Sequence, residues 1–378
     1  EIPLRLVGSE MCIRDSITEI MKHILFYALF FILKIASAQA QSLDQPKNYP
    51  ADAISSFAER LEPMGRILED DNYYVWCCAP IIDEKNKVHV FYSRWEKKYE
   101  MKGWLGHCEI AHAVADQPEG PYKYVSTVLS PRPGYFDGNT CHNPSIYKID
   151  GRYWLFYMGA TNGKFGTKRI GYAVANSIWG PWERCEKPLL MPGNTGEWDD
   201  YITTNPAFLK HPDGKYWLYY KSCNENEYVN QHINGISGNR KYGVAFADKI
   251  TGPYRRYEKN PIVDFSGFGE NRQVEDAYIW YENGIFKMLM RDMGFYDHTV
   301  GLYFESKDGL NWQNPQIGWF GAEHYIKQPP APKHLKRYGR FERPQVLMKN
   351  GKPAYLFTAS QGGKAETSSG FVFKIKPE

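Results

Sequence analysis

The chain has 378 residues, 43% hydrophobic and 16% aromatic, enough to bury one large core and unlike a disordered or fibrous composition. Lys plus Arg number 46 against 43 Asp plus Glu, a formal net charge of +3 with the signs interspersed, so nothing argues for nucleic acid as a partner.

The first recognisable element runs from Met21, "MKHILFYALFFILKIASAQAQ". Lys22, a short apolar run and small residues up to Ala40 predict a secretory signal peptide over 21–40, too short in its apolar core to span a membrane. Residues 1–20 precede it, and "VGSEMCIRDS" resembles translated adapter sequence, so they are set aside as a non-native leader. Residues 41–60 read as a linker, and the protein is expected to be secreted or periplasmic, with no membrane partner after cleavage. Six cysteines (77, 78, 108, 141, 185, 223) follow without disulfide or zinc spacing and read as buried free thiols.

From residue 61 onward one hairpin recurs. It opens at "CAPIIDEKNKVHVFYSRW", "HNPSIYKIDGRYWLFYMG", "TNPAFLKHPDGKYWLYYKS", "EDAYIWYENGIFKMLMRDM" and "ERPQVLMKNGKPAYLFTAS", with starts 64, 62, 71 and 67 residues apart. Each copy has a β-rich run, a polar turn and an aromatic-rich return. A third strand and a turn before a fourth recur too, as in "RIGYAVANSIWGPWERC" and "KYGVAFADKITGPYRRY". Four antiparallel strands repeated about every 65 residues predict an all-β fold: a five-bladed β-propeller over 61–378, one domain with a central funnel. The last blade lacks an outer strand, which residues 65–76 are expected to supply.

In a propeller the first strand of each blade lines the channel, so the hairpin starts converge on one mouth. Aligned by proline, or by Ala277 in the fourth copy, the converging pairs are Cys78-Ala79, His142-Asn143, Thr204-Asn205, Glu275-Asp276 and Glu342-Arg343. Buried polar groups are costly unless a ligand or water satisfies them, and that cost argues for function.

The repeat layout, with "HNPSIYKIDGRYWLFYMG", "GYAVANSIWGPW", "VEDAYIWYENG" and "SKDGLNW", resembles the five-bladed glycoside hydrolases of family 43 and its relatives in families 32 and 117, over roughly residues 60–378. In family 43 an Asp-Pro dipeptide on the first blade supplies the general base. Here that place reads Ala79-Pro80, so the resemblance implies a divergent member.

Glycosidic cleavage commonly needs two carboxyl groups, one protonated and one ionised. Glu275, Asp276 and Glu342 are the candidates, with Asp276 favoured over Glu275 because adjacent strand residues face opposite ways and Asp276 occupies the family's Asp-Pro register. Asp137 is the expected third acid, in a loop whose spacing Asp199 repeats; a plain turn role competes for it. Resemblance to family 117 offers His142 as a general acid, against a neutral hydrogen-bonding role. Arg94, Lys221, Arg291, Asp292 and Arg343 are expected to make the cleft basic, suiting a uronate or sulfated sugar. Trp95, Asn143, Asn205 and Asp200 complete the expected substrate contacts. No cofactor is implied; the axis of such a ring leaves room for a divalent cation, but no dedicated ligand spacing is visible.

The expected function is an exo-acting glycoside hydrolase taking a terminal sugar from an oligosaccharide or polysaccharide. Its rivals are a glycoside phosphorylase and a carbohydrate-binding propeller without catalysis.

Overall fold

A computed structural model describes residues 48–377 apart from 234 and 235. The expected leader, the signal peptide and the start of the linker lie outside the described residues. Among those described, no helix is long and apolar enough to cross a membrane.

Five four-stranded antiparallel sheets form the five blades. Their first strands are Tyr73–Ile82, Thr140–Ile149, Thr204–Lys210, Gln273–Glu282 and Glu342–Lys349, and each pairs with the next strand of its own blade. The hairpin turns form because Asp150-Gly151, Asn283-Gly284 and Asn350-Gly351 all take positive φ, matching the twist of the flanking strands.

The ring closes between its termini. Leu61–Ile67 pairs with Thr367–Ile375 as the outer strand of the fifth blade. Of the stretch expected to do this, Gly65, Arg66 and Ile67 pair with Val372, Phe371 and Gly370, whereas Tyr73 already begins the first strand of blade one. The closing strand therefore starts four residues upstream of the expected stretch.

Residues just before it, expected as linker, are packed. Ser55 accepts a bond from the Ala58 amide to cap the short helix Ser56–Glu59 and donates to the Ile317 carbonyl at 2.6 Å. Phe57 stacks on Tyr303 of blade four at 5.5 Å between ring centroids.

Between blades the core is largely aromatic. Phe156 of blade two, for example, stacks on Phe208 of blade three at 4.3 Å. Each such fully buried ring contributes roughly 1.5–3 kcal/mol. All six cysteines after residue 47 are free, and all but the partly exposed Cys185 are buried.

Candidate active site at the mouth of the channel

Every first strand breaks its register near its start. The shift falls between Trp76 and Cys78, His142 and Ser145, Thr204 and Ala207, Glu275 and Tyr278, and Glu342 and Gln345. Within each shift one non-glycine residue has positive φ: Cys77, Asn143, Asn205, Asp276 and Arg343. These bulges re-aim side chains and end the simple alternation of a strand. The five equivalent positions are therefore known from backbone geometry, and in blade one the position belongs to Cys77, not Ala79. Pro80 lies three residues beyond the bulge, whereas proline or Ala277 follows immediately elsewhere, so aligning by proline misplaced the first blade by two residues.

The five bulge residues meet at the axis as a lower ring. Asp276 Oδ1 accepts from Asn205 Nδ2 at 2.6 Å and is ion-paired to Arg343. The Asn143 amide is satisfied with its oxygen on Arg343 Nη1 at 2.8 Å and its nitrogen toward His142 Nδ1 at 2.5 Å. Cys77 Sγ lies 3.4 Å from the Pro144 carbonyl. The cavity they leave is about 10 Å³, room for one water at most.

One residue earlier on each strand, and so nearer the mouth, is an upper ring containing His142, Glu275 and Glu342. Both Glu275 and Asp276 reach the ionic cluster, because the bulge rather than strand alternation sets their directions. Glu275 is bonded by Lys221 Nζ at 2.8 Å, Arg291 Nη1 at 2.8 Å and Arg240 Nε at 3.0 Å. Glu342 Oε2 contacts Arg337 at 3.3 Å and the same Arg291 nitrogen at 3.5 Å. The other oxygen of Glu342 is buried with no partner, as is Nε2 of His142. With the closer contact, Asn143 nitrogen to His142 Nδ1 at 2.5 Å, assigned as donor to acceptor, a neutral ring carries its proton on that orphan Nε2.

The electrostatics separate these groups. Burial opposes the charge of Glu275, but Lys221, Arg240 and Arg291 outweigh it and hold the carboxyl well below the usual range. Burial likewise opposes Glu342, and Arg291 and Arg337 win. For Asp276 burial is the largest effect and pushes the carboxyl up; Arg343 pulls against it, and neighbouring Glu275 adds to the rise. His142, buried and facing Arg343 and Lys168, is held neutral far below its ordinary value.

Three cations at this mouth carry no hairpin signature: Lys168, Arg240 and Arg337. The first two had a sequence signal, since aligning "KRIGYAVA" and "RKYGVAFA" on Gly171 and Gly243 sets Lys168 opposite Arg240. Half-buried Trp104 and Phe165 flank Lys168, with ring centroids 4.9 and 3.5 Å from its Nζ. Trp104 also lies 5.5 Å from the His142 ring. The loop carrying Trp104 crosses close over buried Trp95, and a Cβ at Gly103 would collide with that indole. Trp95 thus supports His142, at 6.0 Å, from beneath.

Other expected site residues lie elsewhere or are fully occupied. Asp137 is wholly buried, bonded to Arg132 at 3.1 Å, Arg184 at 3.3 Å and the Tyr157 hydroxyl at 2.6 Å. Asp199 repeats the device with Arg256 and Tyr220, both at 2.7 Å. The shared loop shape is real, but its purpose is to tie the loop to its own blade. Arg94 pairs with Glu109 at 2.8 Å between the rings of Tyr73 and Tyr124, on the outer part of blade one. Asp200 accepts the amides of Gly196 and Glu225, both at 2.7 Å, clasping two loops. Asp292 accepts four successive amides, 294 to 297; burial pushes it up to about 6 in spite of them. Among the described residues, no group of three or more His, Cys, Asp or Glu is placed to hold a metal ion.

Residues 127–237 match the family model of glycosyl hydrolases family 43. The chain is a five-bladed propeller resembling that family. Solved structures agree on the family 43 and 117 fold. BT0996, solved as a complex with RGII, is 17% identical, with 84% of this chain and 92% of that one covered at a TM-score of 0.62. Zg3597, a family 117 glycoside hydrolase from the marine bacterium Zobellia galactanivorans, is 18% identical, covering 85% and 91% at 0.60. CoXyl43, a family 43 β-xylosidase/α-arabinofuranosidase from a compost microbial metagenome, is 16% identical, covering 84% and 94% at 0.54. No curated protein matches the chain. Hydrolysis of a glycosidic bond is the activity that accompanies the matched family.

Proposed function

We propose that the protein is an exported, exo-acting glycoside hydrolase that removes a terminal anionic sugar from an oligosaccharide, with chemistry at the upper ring. The observation that carries this reading is that the cluster buries a carboxylate oxygen, Glu342 Oε1, and a ring nitrogen, His142 Nε2, without hydrogen-bond partners, together with the Nε atoms of Arg240, Arg291 and Arg343. A ligand hydroxyl would satisfy Glu342 Oε1 and His142 Nε2.

Glu342, kept ionised by Arg291 and Arg337 and retaining a free oxygen, serves as base or nucleophile. Of the adjacent carboxyls, Glu275 stays ionised among its cations, whereas burial and the neighbouring Glu275 push Asp276 up, so Asp276 is the source of the proton passed up to the leaving oxygen. His142, held neutral, donates from Nε2 to a sugar hydroxyl rather than acting as the acid. Half-buried Trp104 and Phe165 offer faces for the sugar ring.

The cationic mouth favours a second reading, phosphorolysis, in which inorganic phosphate attacks instead of water. One assay separates them: a product screen over charged and neutral oligosaccharides with and without phosphate. Water-dependent release of a charged monosaccharide supports hydrolysis, a strict phosphate requirement supports the alternative, and saccharide binding without any product rejects both.

A further inference from the structure

We propose that Lys168, with Arg240 and Lys221 beside it, forms an oxyanion subsite, and that Lys168 is the residue that separates an anionic ligand from a neutral one. This rests on the reading of the mouth as a sugar site and assigns its charge selectivity to one side chain.

The ionic cluster is unbalanced. Six cations, Lys168, Lys221, Arg240, Arg291, Arg337 and Arg343, face three carboxylates, and every carboxylate is already engaged. Glu275 is bonded by three cations, Glu342 by two and Asp276 by Arg343. Lys168 is left over: its residue is only 2% exposed, and no carboxylate among the described residues lies within ion-pair distance. What its ammonium touches is aromatic, Phe165 at 3.5 Å and Trp104 at 4.9 Å. Such contacts contribute only a fraction of what burying an isolated ammonium costs.

Arg240, at the matching position of the next blade, reaches the same wall, with its guanidinium 5.9 Å from the Phe165 ring while its Nε is ion-paired to Glu275 at 3.0 Å and its Nη1 donates to Gln273 at 2.8 Å. Two cations at equivalent points of neighbouring blades thus share one aromatic wall beside the orphan atoms of the upper ring. An oxyanion placed there meets two or three cations at once. Its chemistry is a carboxylate or sulfate borne by the sugar, or free phosphate.

The proton balance gives a second signature. Burial, then Lys221, lower the affinity of Lys168 for its proton; Arg240 and Arg343 act the same way and Glu275 opposes them, while neighbouring His142 is neutral. An arriving oxyanion reverses this, so binding takes up a proton and weakens as pH rises.

The test is calorimetry on the whole chain with glucuronate, galacturonate, glucose, galactose, inorganic sulfate and inorganic phosphate, repeated with Lys168→Met and Lys168→Arg. At least one anion is expected to bind about tenfold or more tighter than its neutral counterpart, with proton uptake seen in buffers of different ionisation enthalpy. Lys168→Met should remove that preference and Lys168→Arg retain most of it. The empty Met variant should melt at or above the wild-type temperature, since a buried amine without a hydrogen-bonding or ionic partner is gone. Preference for a uronate places the anion on the sugar, and preference for phosphate alone places it in phosphorolysis. Equal binding of anions and neutral sugars, or an unchanged preference in a folded Met variant, overturns the proposal. Anion binding without turnover of any glycoside keeps the subsite and rejects the hydrolase reading; turnover of neutral glycosides without anion preference does the reverse.

Discussion

The lower and upper rings at the axis come from adjacent residues of the same five strands, yet they differ in how completely they are satisfied. In the lower ring Asn143, Asn205, Asp276 and Arg343 bond one another around a cavity of about 10 Å³, leaving Arg343 Nε without a hydrogen bond. In the upper ring the carboxylates are overmatched by cations, and polar atoms of Glu342 and His142 stay unpartnered. A native structure rarely buries unsatisfied groups without a reason, and a carboxylate oxygen and a ring nitrogen left so in one cluster are a ligand's footprint. The lower ring locks the blades together, and the upper ring is where bonds are left to be made.

The sharpest way to break this contrast is Glu342→Gln. It should reduce kcat by about 10³-fold or more while the melting temperature changes by a few degrees at most, because Arg291 keeps Glu275 as a partner. Near-wild-type turnover would transfer the chemistry elsewhere. Arg343→Met tests the opposite ring. It strands the buried Asp276 carboxyl and should cost about 3–5 kcal/mol in denaturant unfolding. Stability within 1 kcal/mol of wild type, on the scale of a surface change, would deny the lower ring its structural role.

Asp137→Asn and Asp199→Asn form a matched pair outside both rings. Each removes a buried charge from its arginine and tyrosine partners, three for Asp137 and two for Asp199, and should destabilise by about 2–3 kcal/mol, with kcat of the folded enzyme unchanged. A catalytic defect in Asp137→Asn alone would restore it as an acid.

The smallest effect concerns pH. Glu275 and Glu342 have folded-state values below those of the unfolded chain, so the stability they supply is complete above the unfolded value near 4.3 and disappears as pH falls through the folded values. Asp292, pushed up to about 6, acts in the opposite sense, so the melting temperature should rise slightly as pH falls through 6 and drop below about 4. Because His142 is held neutral, replacing it with Gln should not displace any limb of the activity profile near 6.5.

The fold was readable because each blade writes its own hairpin, and positive-φ turn residues such as Asp150-Gly151 announce themselves in sequence. The site was readable only where it lay on those hairpins: Glu275, Asp276, Glu342, Arg343, Lys221 and Arg291 do converge. Blade one hid its register because the proline is displaced from the bulge at Cys77. Asp137 and Asp200 are engaged by partners 20 or more residues away, which local spacing does not show, and Asp292 accepts the amides of the turn that follows it. Lys168 and Arg240 carry no hairpin signal because they lie at the start of third strands, Lys168 opening one and Arg240 just before the other, where the repeat shows mainly its turn chemistry.

The most direct test of the two-ring account is a crystal structure with a bound sugar product. The account predicts ligand oxygens within hydrogen-bond distance of Glu342 Oε1 and His142 Nε2, with the Asn205, Asp276 and Arg343 contacts unchanged beneath. A sugar bound elsewhere, leaving both orphan atoms unpartnered, would contradict it.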